Sequence, residues 1–362
     1  MQNRLTRCVN VGGVRIGGDA PVSVQTMTTA DPHDAEALVA QIKSCAALGC
    51  DIIRLTIPDQ EAAKTLSLVK KRVSIPIVSD IHFDYRCALA AIEAGTDALR
   101  LNPGNIGSPE GVRAVAQAAK EKKIPIRIGV NLGSLEKGLA EKLKQGEVTV
   151  AEALCQSAFS HLALLEAEGF RDVVISAKAS NVPDTIATYR LLSRETDCPL
   201  HIGVTEAGTR LPGTVRNAFA LGVLLTEGIG NTIRVSLTDR PETEVRVGME
   251  ILRSAGLKAP GPSIVSCPTC GRTKVDLIRT ATAVEEALEA YYLSLPPNAR
   301  QNFPHVAVMG CVVNGPGEAK HAEIALCGGV DAFLLYHNGE PVCKIKPDEA
   351  VQKVIDYVVS LR

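Results

Sequence analysis

The 362-residue chain has no tryptophan, and aromatic residues make up only 3% of it. So few flat side chains argue against a platform on which nucleic-acid bases could stack. Neither sign of charge is in excess, with 39 Lys and Arg against 40 Asp and Glu, so no overall field favours nucleic acid or membrane. The longest apolar runs, Ala218–Leu225 and Val306–Val313, are eight residues each, too short to span a bilayer. We expect no nucleic-acid partner, no membrane segment and, with no charged-then-apolar leader, a cytoplasmic protein.

Cysteine is plentiful, but the second Cys-x-x-Cys pair that a zinc ribbon needs is missing. The eleven cysteines are an odd number spread along the whole chain, which argues against a disulfide framework. Cys267 and Cys270 lie in a Pro/Gly turn that aims two thiolates at one point, and Cys311 is the best third ligand. Glu318 follows seven residues later and adds an oxygen donor. A zinc ion and a four-iron cluster with one exchangeable iron both fit these donors, and the spacing leaves the choice open.

The amino-terminal part of the chain alternates β-branched strands with stretches of helical periodicity. After a predicted hairpin within residues 4–20, we expect eight strands, at residues 22–27, 51–57, 75–82, 98–102, 124–131, 172–178, 200–206 and 232–237. Eight strand–helix pairs over about 255 residues match the size of a (β/α)₈ TIM-type barrel. An open doubly wound sheet is the alternative, because its parallel strands would look alike. The long connection at residues 132–150 is expected to carry an extra helix over the barrel mouth.

A Pro/Gly-rich stretch at residues 258–263 has the composition of a linker. We therefore predict an α/β barrel domain at residues 1–257 and a smaller α+β domain at residues 264–362. In the smaller domain, helices are expected at residues 281–293 and 348–361, and strands at residues 305–313 and 331–336. All three candidate cysteine ligands fall in this second domain.

Five of the predicted barrel strands carry a cation near their carboxyl ends. Because side chains alternate faces along a strand, each cation shares a face with a polar neighbour. The pairs are Arg54 with Thr56, Arg100 with Asn102, Arg127 with Asn131, Ser176 with Lys178, and Arg234 with Ser236. The carboxyl ends of barrel strands are where such proteins keep their active sites. Five convergent cations with few acids nearby predict a bound polyanion such as a diphosphate.

Titratable groups follow the third and seventh predicted strands. Asp80 and His82 share a face at the end of the third strand, and Glu206 follows the seventh. Asp80 and Glu206 are the few acids expected on the cationic rim. The turn Asn102-Pro-Gly-Asn105 exposes backbone N–H groups that could hold phosphate oxygens, or it could be a plain loop.

Six motifs occur together and in order along nearly the whole chain. They are Gln25-Thr-Met27, Leu101-Asn-Pro-Gly-Asn105, Ile126-Arg-Ile-Gly-Val-Asn131, Gly203-Val-Thr-Glu-Ala-Gly208, Cys267-Pro-Thr-Cys-Gly-Arg-Thr273 and Gly310-Cys-Val-Val-Asn-Gly-Pro-Gly-Glu318. This set resembles the family of 4-hydroxy-3-methylbut-2-enyl diphosphate synthases of the non-mevalonate isoprenoid pathway. The chain is similar to the shorter bacterial, two-domain form, since it has no room for the large insert of the plant type.

The resemblance implies an oxidoreductase with a [4Fe–4S] cluster on Cys267, Cys270 and Cys311, and Glu318 as the fourth, exchangeable ligand. It implies a two-electron reduction that opens 2-C-methyl-D-erythritol 2,4-cyclodiphosphate and expels water, with flavodoxin or ferredoxin as electron donor. The nine polar and cationic residues at the strand ends other than Thr56 would then bind the diphosphate. Asp80, His82 and Glu206 would lie near the reacting carbons, with Glu206 as the expected proton donor.

The linker also bears on the working unit. The eighth barrel helix should end near Leu257, at the face of the barrel opposite the cationic mouth. About eight linker residues can stretch roughly 26–29 Å, barely the height of the barrel. We therefore expect a homodimer in which each small domain completes the active site of the other subunit, in agreement with the resemblance.

Overall fold

The computed structural model describes residues 4–106, 108–259, 261–262, 264–300, 302–313, 315, 317 and 320–362. The chain divides into two compact units, residues 1–257 and residues 258–362. None of the helices in the described part of the chain is both long enough and apolar enough to cross a bilayer.

The first unit opens with an antiparallel hairpin and continues with a ring of parallel strands. The hairpin consists of β1 (Cys8–Val11) and β2 (Val14–Gly17). The barrel strands are β3 (Ser23–Met27), β4 (Ile52–Thr56), β5 (Ile77–Asp80), β6 (Ala98–Leu101), β7 (Ile126–Asn131), β8 (Val173–Lys178), β9 (His201–Ile202) and β10 (Thr232–Ile233). Their order is β8-β7-β6-β5-β4-β3-β10-β9, and a parallel bridge from Ile175 to Leu200 joins β8 to the chain entering β9. The described strands therefore form a closed barrel, and the open sheet is wrong.

A helix follows every barrel strand and covers it on the outside. The helices are α1 (Ala35–Ala47), α2 (Gln60–Lys70), α3 (Tyr85–Glu93), α4 (Pro109–Lys122), α5 (Lys137–Gln145), α6 (Val150–Ala167), α7 (Val182–Glu195), α8 (Arg210–Thr226) and α9 (Pro241–Ser254). Side-chain oxygens cap several of them, as where Thr149 accepts the backbone N–H of Glu152 at the start of α6. Helix α5 is the extra helix predicted after β7, and its described residues include no buried side chain.

The barrel interior has an apolar floor and a polar top because each strand changes character along its inward face. Ile52 precedes Arg54 on β4, Val78 precedes Asp80 on β5, and Ala98 precedes Arg100 on β6. The three apolar residues, Ile52, Val78 and Ala98, pack with Val174 and with the hairpin's Val9, Val11 and Ile16. The hairpin therefore closes the amino-terminal end of the barrel, and polar side chains are left for the other end.

The seventh and eighth strands are shorter than predicted. Only two residues of each stay in the parallel ladder, although the Arg234 N–H still reaches the Ile202 carbonyl at 3.0 Å. The backbones approach closely just beyond this point, since a Cβ on Gly203 would lie 2.5 Å from the Arg234 carbonyl oxygen. Glycine at position 203 permits that approach, and the regular ladder ends there.

The described part of the second unit contains a five-stranded mixed sheet with long helices packed on it. The strands are β11 (Ile264–Ser266), β12 (Val306–Met309), β13 (Ile324–Gly328), β14 (Phe333–His337) and β15 (Glu340–Ile345), in that order across the sheet. The first three are parallel and the last two antiparallel. Helices α10 (Leu277–Ser294) and α11 (Ala350–Ser360) pack on it through a shared apolar core. The α+β prediction is confirmed, but β11, β13 and β15 were not predicted from the sequence.

Candidate active site

A single pocket in the barrel unit gathers the cations that the strand pattern placed on one face. It contains about 410 Å³ of space that no atom fills, open solvent at the mouth included. Its lining comprises Arg54, Arg100, Arg127, Gly129, Val130, Asn131, Ser176, Lys178, Thr205 and Arg234. All five predicted cations therefore meet in one pocket, together with Asn131 and Ser176, although Arg127 is the second residue of β7 and does not lie near its carboxyl end as predicted.

Asn102 and Ser236 are buried at the same strand ends but do not line this pocket. The Oδ1 atom of Asn102 accepts the backbone N–H of Gly129 at 2.9 Å, so this side chain fixes the pocket wall from behind. The Ser236 carbonyl accepts a hydrogen bond from Asn217 Nδ2 at 3.2 Å. In this structure the Asn102 side chain holds the Gly129 backbone, and the Asn217 side chain holds the Ser236 backbone. Direct contact of Asn102 or Ser236 with a ligand stays a prediction.

Asp80 lies between two of the cations. Its carboxylate oxygens are 3.6 Å from Arg54 Nε and 3.1 Å from Arg100 Nη1, and its side chain is only 3% exposed. Burial alone would raise the pKa of Asp80, but Arg54 and Arg100 outweigh burial and hold the pKa below its usual range. Asp80 is therefore an ionised carboxylate that neutralises part of the cationic cluster.

Glu244 is a second buried carboxylate, and the sequence analysis did not name it. It lies in the first turn of α9, where its oxygens are 3.2 and 3.3 Å from Arg234 Nη2. It also accepts the Thr26 hydroxyl and the Leu237 backbone N–H, the latter at 2.9 Å. Glu206, which we expected as the second rim acid, is exposed. The second acid that faces the cations, beside Asp80, thus comes from a helix and not from a strand end.

The pocket keeps an excess of positive charge. Five cations against Asp80 and Glu244 leave a net charge of plus three, counting every group as ionised. Burial and then neighbouring guanidinium groups lower the pKa values of Arg127 and Lys178 well below their usual range. Uncompensated buried charge is costly, so an anionic ligand would stabilise this arrangement.

Unused hydrogen-bond donors point to the same ligand chemistry. Arg127 Nη1 donates to Gln25 Oε1, whereas its Nε and Nη2 atoms are buried with no partner among the described residues. Arg234 Nε is likewise buried and has no hydrogen-bond partner among the described residues. Guanidinium groups with spare N–H donors match the oxygens of a phosphate group.

The two loops that carry the other predicted catalytic residues contain strained backbone. His82 is exposed, and its Nε2 atom lies 3.1 Å from Arg100 Nη1. The next residue, Phe83, has φ +61°, and Glu206 has φ +53°, both in the left-handed region that non-glycine residues seldom adopt. Such strain often marks functional loops, and Thr205 beside Glu206 lines the pocket. The catalytic roles of His82 and Glu206 remain predictions.

His201 is a further buried group that the sequence analysis missed. It is 1% exposed at the start of β9, and neither ring nitrogen has a hydrogen-bond partner among the described residues. Burial, followed by Arg127 and Lys178, lowers the pKa of His201 well below its usual range, so the ring is neutral. In the sequence, only the alternation of side chains along this short strand could have indicated that His201 faces the barrel interior.

The second unit brings cysteines together at the carboxyl ends of two neighbouring parallel strands. Cys267 follows β11 directly, and Cys311 comes two residues after β12. The Gly310 N–H donates to the Cys267 Sγ atom at 3.3 Å, which places this thiol beside the residue that precedes Cys311. Cys270 is exposed, and the Arg272 N–H, followed by the Thr273 side chain, lowers the pKa of its thiol.

The donor set can be compared with the two metal groups that the spacing left open. Within the described residues, no three His, Cys, Asp or Glu side chains form a group that could hold a metal ion. A single zinc ion would require thiolates roughly 3.8 Å apart, given a Zn–S bond of about 2.3 Å. In an iron–sulfur cluster each thiolate binds its own iron, so the thiols need not converge on one ion. Three neighbouring cysteines fit that donor chemistry, and Glu318 lies outside the described residues.

Cys327 was not expected near these cysteines. It lies in the central strand β13 and packs with Ala307, Met309 and Cys267 on the face opposite the helices. Burial, and then the nearby Cys267 and Cys311, raise the pKa of the Cys327 thiol to about 12. It is therefore a protonated, buried neighbour of the cysteine site.

The fold and the pocket define a (β/α)₈-barrel protein with a cationic pocket in the barrel and a second, cysteine-bearing unit. Comparison with known proteins gives the same two-domain division. Residues 6–249 match the GcpE TIM-barrel domain, and residues 263–360 match the GcpE protein C-terminal domain. The chain belongs to the GcpE family.

Curated relatives match over nearly the full length. The chain is 51% identical to the 4-hydroxy-3-methylbut-2-en-1-yl diphosphate synthase (flavodoxin) of Clostridium acetobutylicum, covering 98% of each chain. It is 52% identical to the protein of the same name from Ruminiclostridium cellulolyticum, again over 98% of each chain. Among solved structures, dihydropteroate synthase from Yersinia pestis is 12% identical, with a TM-score of 0.47, and covers 69% of this chain and 97% of its own.

Proposed function

We propose that the protein reduces 2-C-methyl-D-erythritol 2,4-cyclodiphosphate to 4-hydroxy-3-methylbut-2-enyl diphosphate in the non-mevalonate isoprenoid pathway. The observation that carries the proposal is the pocket in which five cations face two carboxylates at the barrel's catalytic end. A cyclic diphosphate supplies the negative charge that this pocket lacks. The relatives that share about half of their residues with this chain are synthases of that diphosphate product.

The cations would bind the diphosphate, each in a way that its contacts suggest. Arg127 and Arg234 have unused buried N–H groups that can donate to phosphate oxygens. Arg54 and Arg100 are held in place by Asp80, so their positive charges would lie at fixed positions beside the diphosphate. Lys178 adds a point charge, while Asn131 and Ser176 complete the polar lining. Asn102 and Ser236 belong to the same proposed shell.

The reacting carbons would lie toward the loops after β5 and β9. Ring opening breaks a carbon–oxygen bond to phosphate, takes up two electrons and releases a hydroxyl group as water, so the site needs a proton donor. Glu206 is our candidate, because it is exposed on a strained loop next to the pocket residue Thr205. Asp80 and His82 approach from β5, and both contact Arg100.

The proposal includes a [4Fe–4S] cluster held by Cys267, Cys270 and Cys311, with Glu318 as a fourth, exchangeable ligand. When bound, such a cluster supplies electrons one at a time and offers an iron position that can be exchanged. The Gly310 N–H that reaches Cys267 would stabilise thiolate charge at that ligand. In the proposed division of labour, residues 1–257 bind the diphosphate, residues 258–263 are a linker and residues 264–362 hold the cluster.

The electrons would come from a reduced flavodoxin or ferredoxin, and the names of the relatives favour flavodoxin. A low-potential carrier and reduced thiols both require a reducing compartment, which supports a cytoplasmic location. The rival reading is a barrel enzyme whose second unit is stabilised by zinc. Anaerobic purification distinguishes the two, because a brown protein containing iron and acid-labile sulfide supports the cluster. A colourless protein containing stoichiometric zinc would contradict it.

We also propose that the working unit is a homodimer with each active site shared between subunits. The support is the short connection between the last barrel helix, which ends at Ser254, and Cys267. In a barrel this helix ends at the face opposite the pocket, which leaves too little chain to reach its own barrel mouth easily.

Subunit exchange tests this directly. One subunit would carry Arg127→Ala with Arg234→Ala, and the other would carry Cys311→Ala. Sites shared between subunits give the heterodimer one intact barrel opposite one intact cysteine site, so activity returns. Verified heterodimers without activity would show that each chain builds its own site.

A further inference from the structure

A buried histidine in α6 clamps the turn that follows β6. His161 is 1% exposed, and its Nδ1 atom accepts the Gly104 backbone N–H at 3.0 Å. The fit is close, because a Cβ on Gly104 would lie 2.7 Å from His161 Cε1. Position 104 therefore has to be glycine for the turn to rest on the imidazole ring.

The other ring nitrogen faces a different element. Since Nδ1 accepts a hydrogen bond, a neutral ring carries its proton on Nε2. That atom is 3.8 Å from Oε1 of Glu136, the residue that precedes the first turn of α5. Nε2 is buried and has no hydrogen-bond partner among the described residues, so the ring is hydrogen-bonded to the turn after β6 and only lies close to the start of the extra helix after β7.

The turn in question adjoins the cationic pocket. Asn102, its first residue, accepts the N–H of Gly129, and Gly129 lines the pocket beside Arg100. We propose that His161 is a positioning residue: it holds the Asn102–Asn105 turn and, through Asn102, the Gly129 wall of the pocket in the shape that the pocket needs to bind a substrate phosphate. The inference rests on the proposed function, because the phosphate belongs to the proposed substrate.

A merely space-filling histidine would not give the pH behaviour that this role demands. Protonation of Nδ1 would replace the acceptor with a donor that opposes the Gly104 N–H. Helix α6, which carries the ring, packs against the turn, α4, α5, α7, β7 and β8, and Glu136 is the charged group that acts on the ring. Burial lowers the pKa of His161 while Glu136 partly offsets this, so the ring is neutral near pH 7. The turn should therefore be released only in acid.

The test uses the whole enzyme and three variants. His161→Leu removes the acceptor and leaves the Gly104 N–H buried without a partner, so KM for the cyclodiphosphate should rise roughly tenfold with kcat little changed. His161→Asn places an oxygen where Nδ1 was, so it should keep KM near the wild-type value and abolish its rise in acid. Gly104→Ala should raise KM as His161→Leu does, whereas Gly138→Ala, with nothing within 4 Å of the added Cβ, should not.

A second readout separates this inference from the proposed reaction. In protein labelled with ¹⁵N-glycine, the Gly104 amide resonance, assigned by its loss in Gly104→Ala, should titrate with the His161 ring. In His161→Asn that acid-side titration should disappear. A wild-type KM in His161→Leu, or a Gly104 amide that titrates equally in His161→Asn, overturns the positioning role. Absence of turnover with an intact Gly104 titration would instead count against the proposed substrate.

Discussion

Replacing Arg234 with methionine removes one cation from the pocket while keeping much of the side-chain volume. The structure shows what is lost: Nη2 is bound to Glu244, and Nε is buried without a partner among the described residues. The net charge of the pocket falls from plus three to plus two, and a phosphate oxygen loses a charge-assisted donor. Such a contact is worth about 1.5–3 kcal/mol, so the cyclodiphosphate should bind about 10- to 100-fold more weakly. Calorimetric titration of anaerobic protein without reductant measures this binding before any turnover.

The fold should survive this change, because Glu244 keeps the Thr26 hydroxyl and the Leu237 N–H as donors. Arg210→Met is the matched control. Arg210 is an exposed cation on α8 that pairs with Asp239 at 2.8 Å and does not line the pocket. An unchanged affinity in Arg234→Met, or an equal loss in Arg210→Met, would refute the assignment of Arg234 to the diphosphate site.

Three further predictions follow from individual contacts. Burial and neighbouring guanidinium groups lower the pKa of Lys178 well below its usual range, so its charge and the diphosphate affinity should be lost at a lower pH than for an ordinary lysine; Lys178→Arg should retain affinity there, and an identical pH profile would count against this. A Cβ on Gly129 would lie 2.2 Å from Arg100 Nε, so Gly129→Ala should displace that cation and weaken binding roughly tenfold; wild-type affinity would argue against an Arg100 contact. Iron analysis should show that Cys311→Ala loses most of its iron while Glu318→Ala retains it; equal loss would make Glu318 an essential ligand.

The barrel was predictable because its signals are local. Alternation within each short segment placed Arg54, Arg100 and Lys178 on inward faces, and the parallel ladder then brings those faces into one pocket. Strand ends were less predictable. β9 and β10 stop after two residues because Gly203 allows a close backbone approach, which depends on a neighbour some thirty residues away.

Some contacts of the buried polar groups were not predictable, because they join residues far apart along the chain. Gln25 is 102 residues from Arg127, and Thr26, which donates to Glu244, is 218 residues from it. In the second unit, Cys327 lies on a strand that no periodicity singled out, yet it packs beside Cys267. His161 sits in the middle of an apolar helix, where a sequence gives no reason to connect it with Gly104.

The central claim is that a cationic barrel pocket and a cysteine-held cluster together reduce a cyclic diphosphate. The most direct test is anaerobic turnover of 2-C-methyl-D-erythritol 2,4-cyclodiphosphate by reconstituted protein with a titrated chemical reductant. We predict one molecule of 4-hydroxy-3-methylbut-2-enyl diphosphate for every two electrons consumed, and none when Cys311→Ala protein is used. Protein with a full complement of iron and sulfide that binds the cyclodiphosphate but forms no open-chain product would contradict the account.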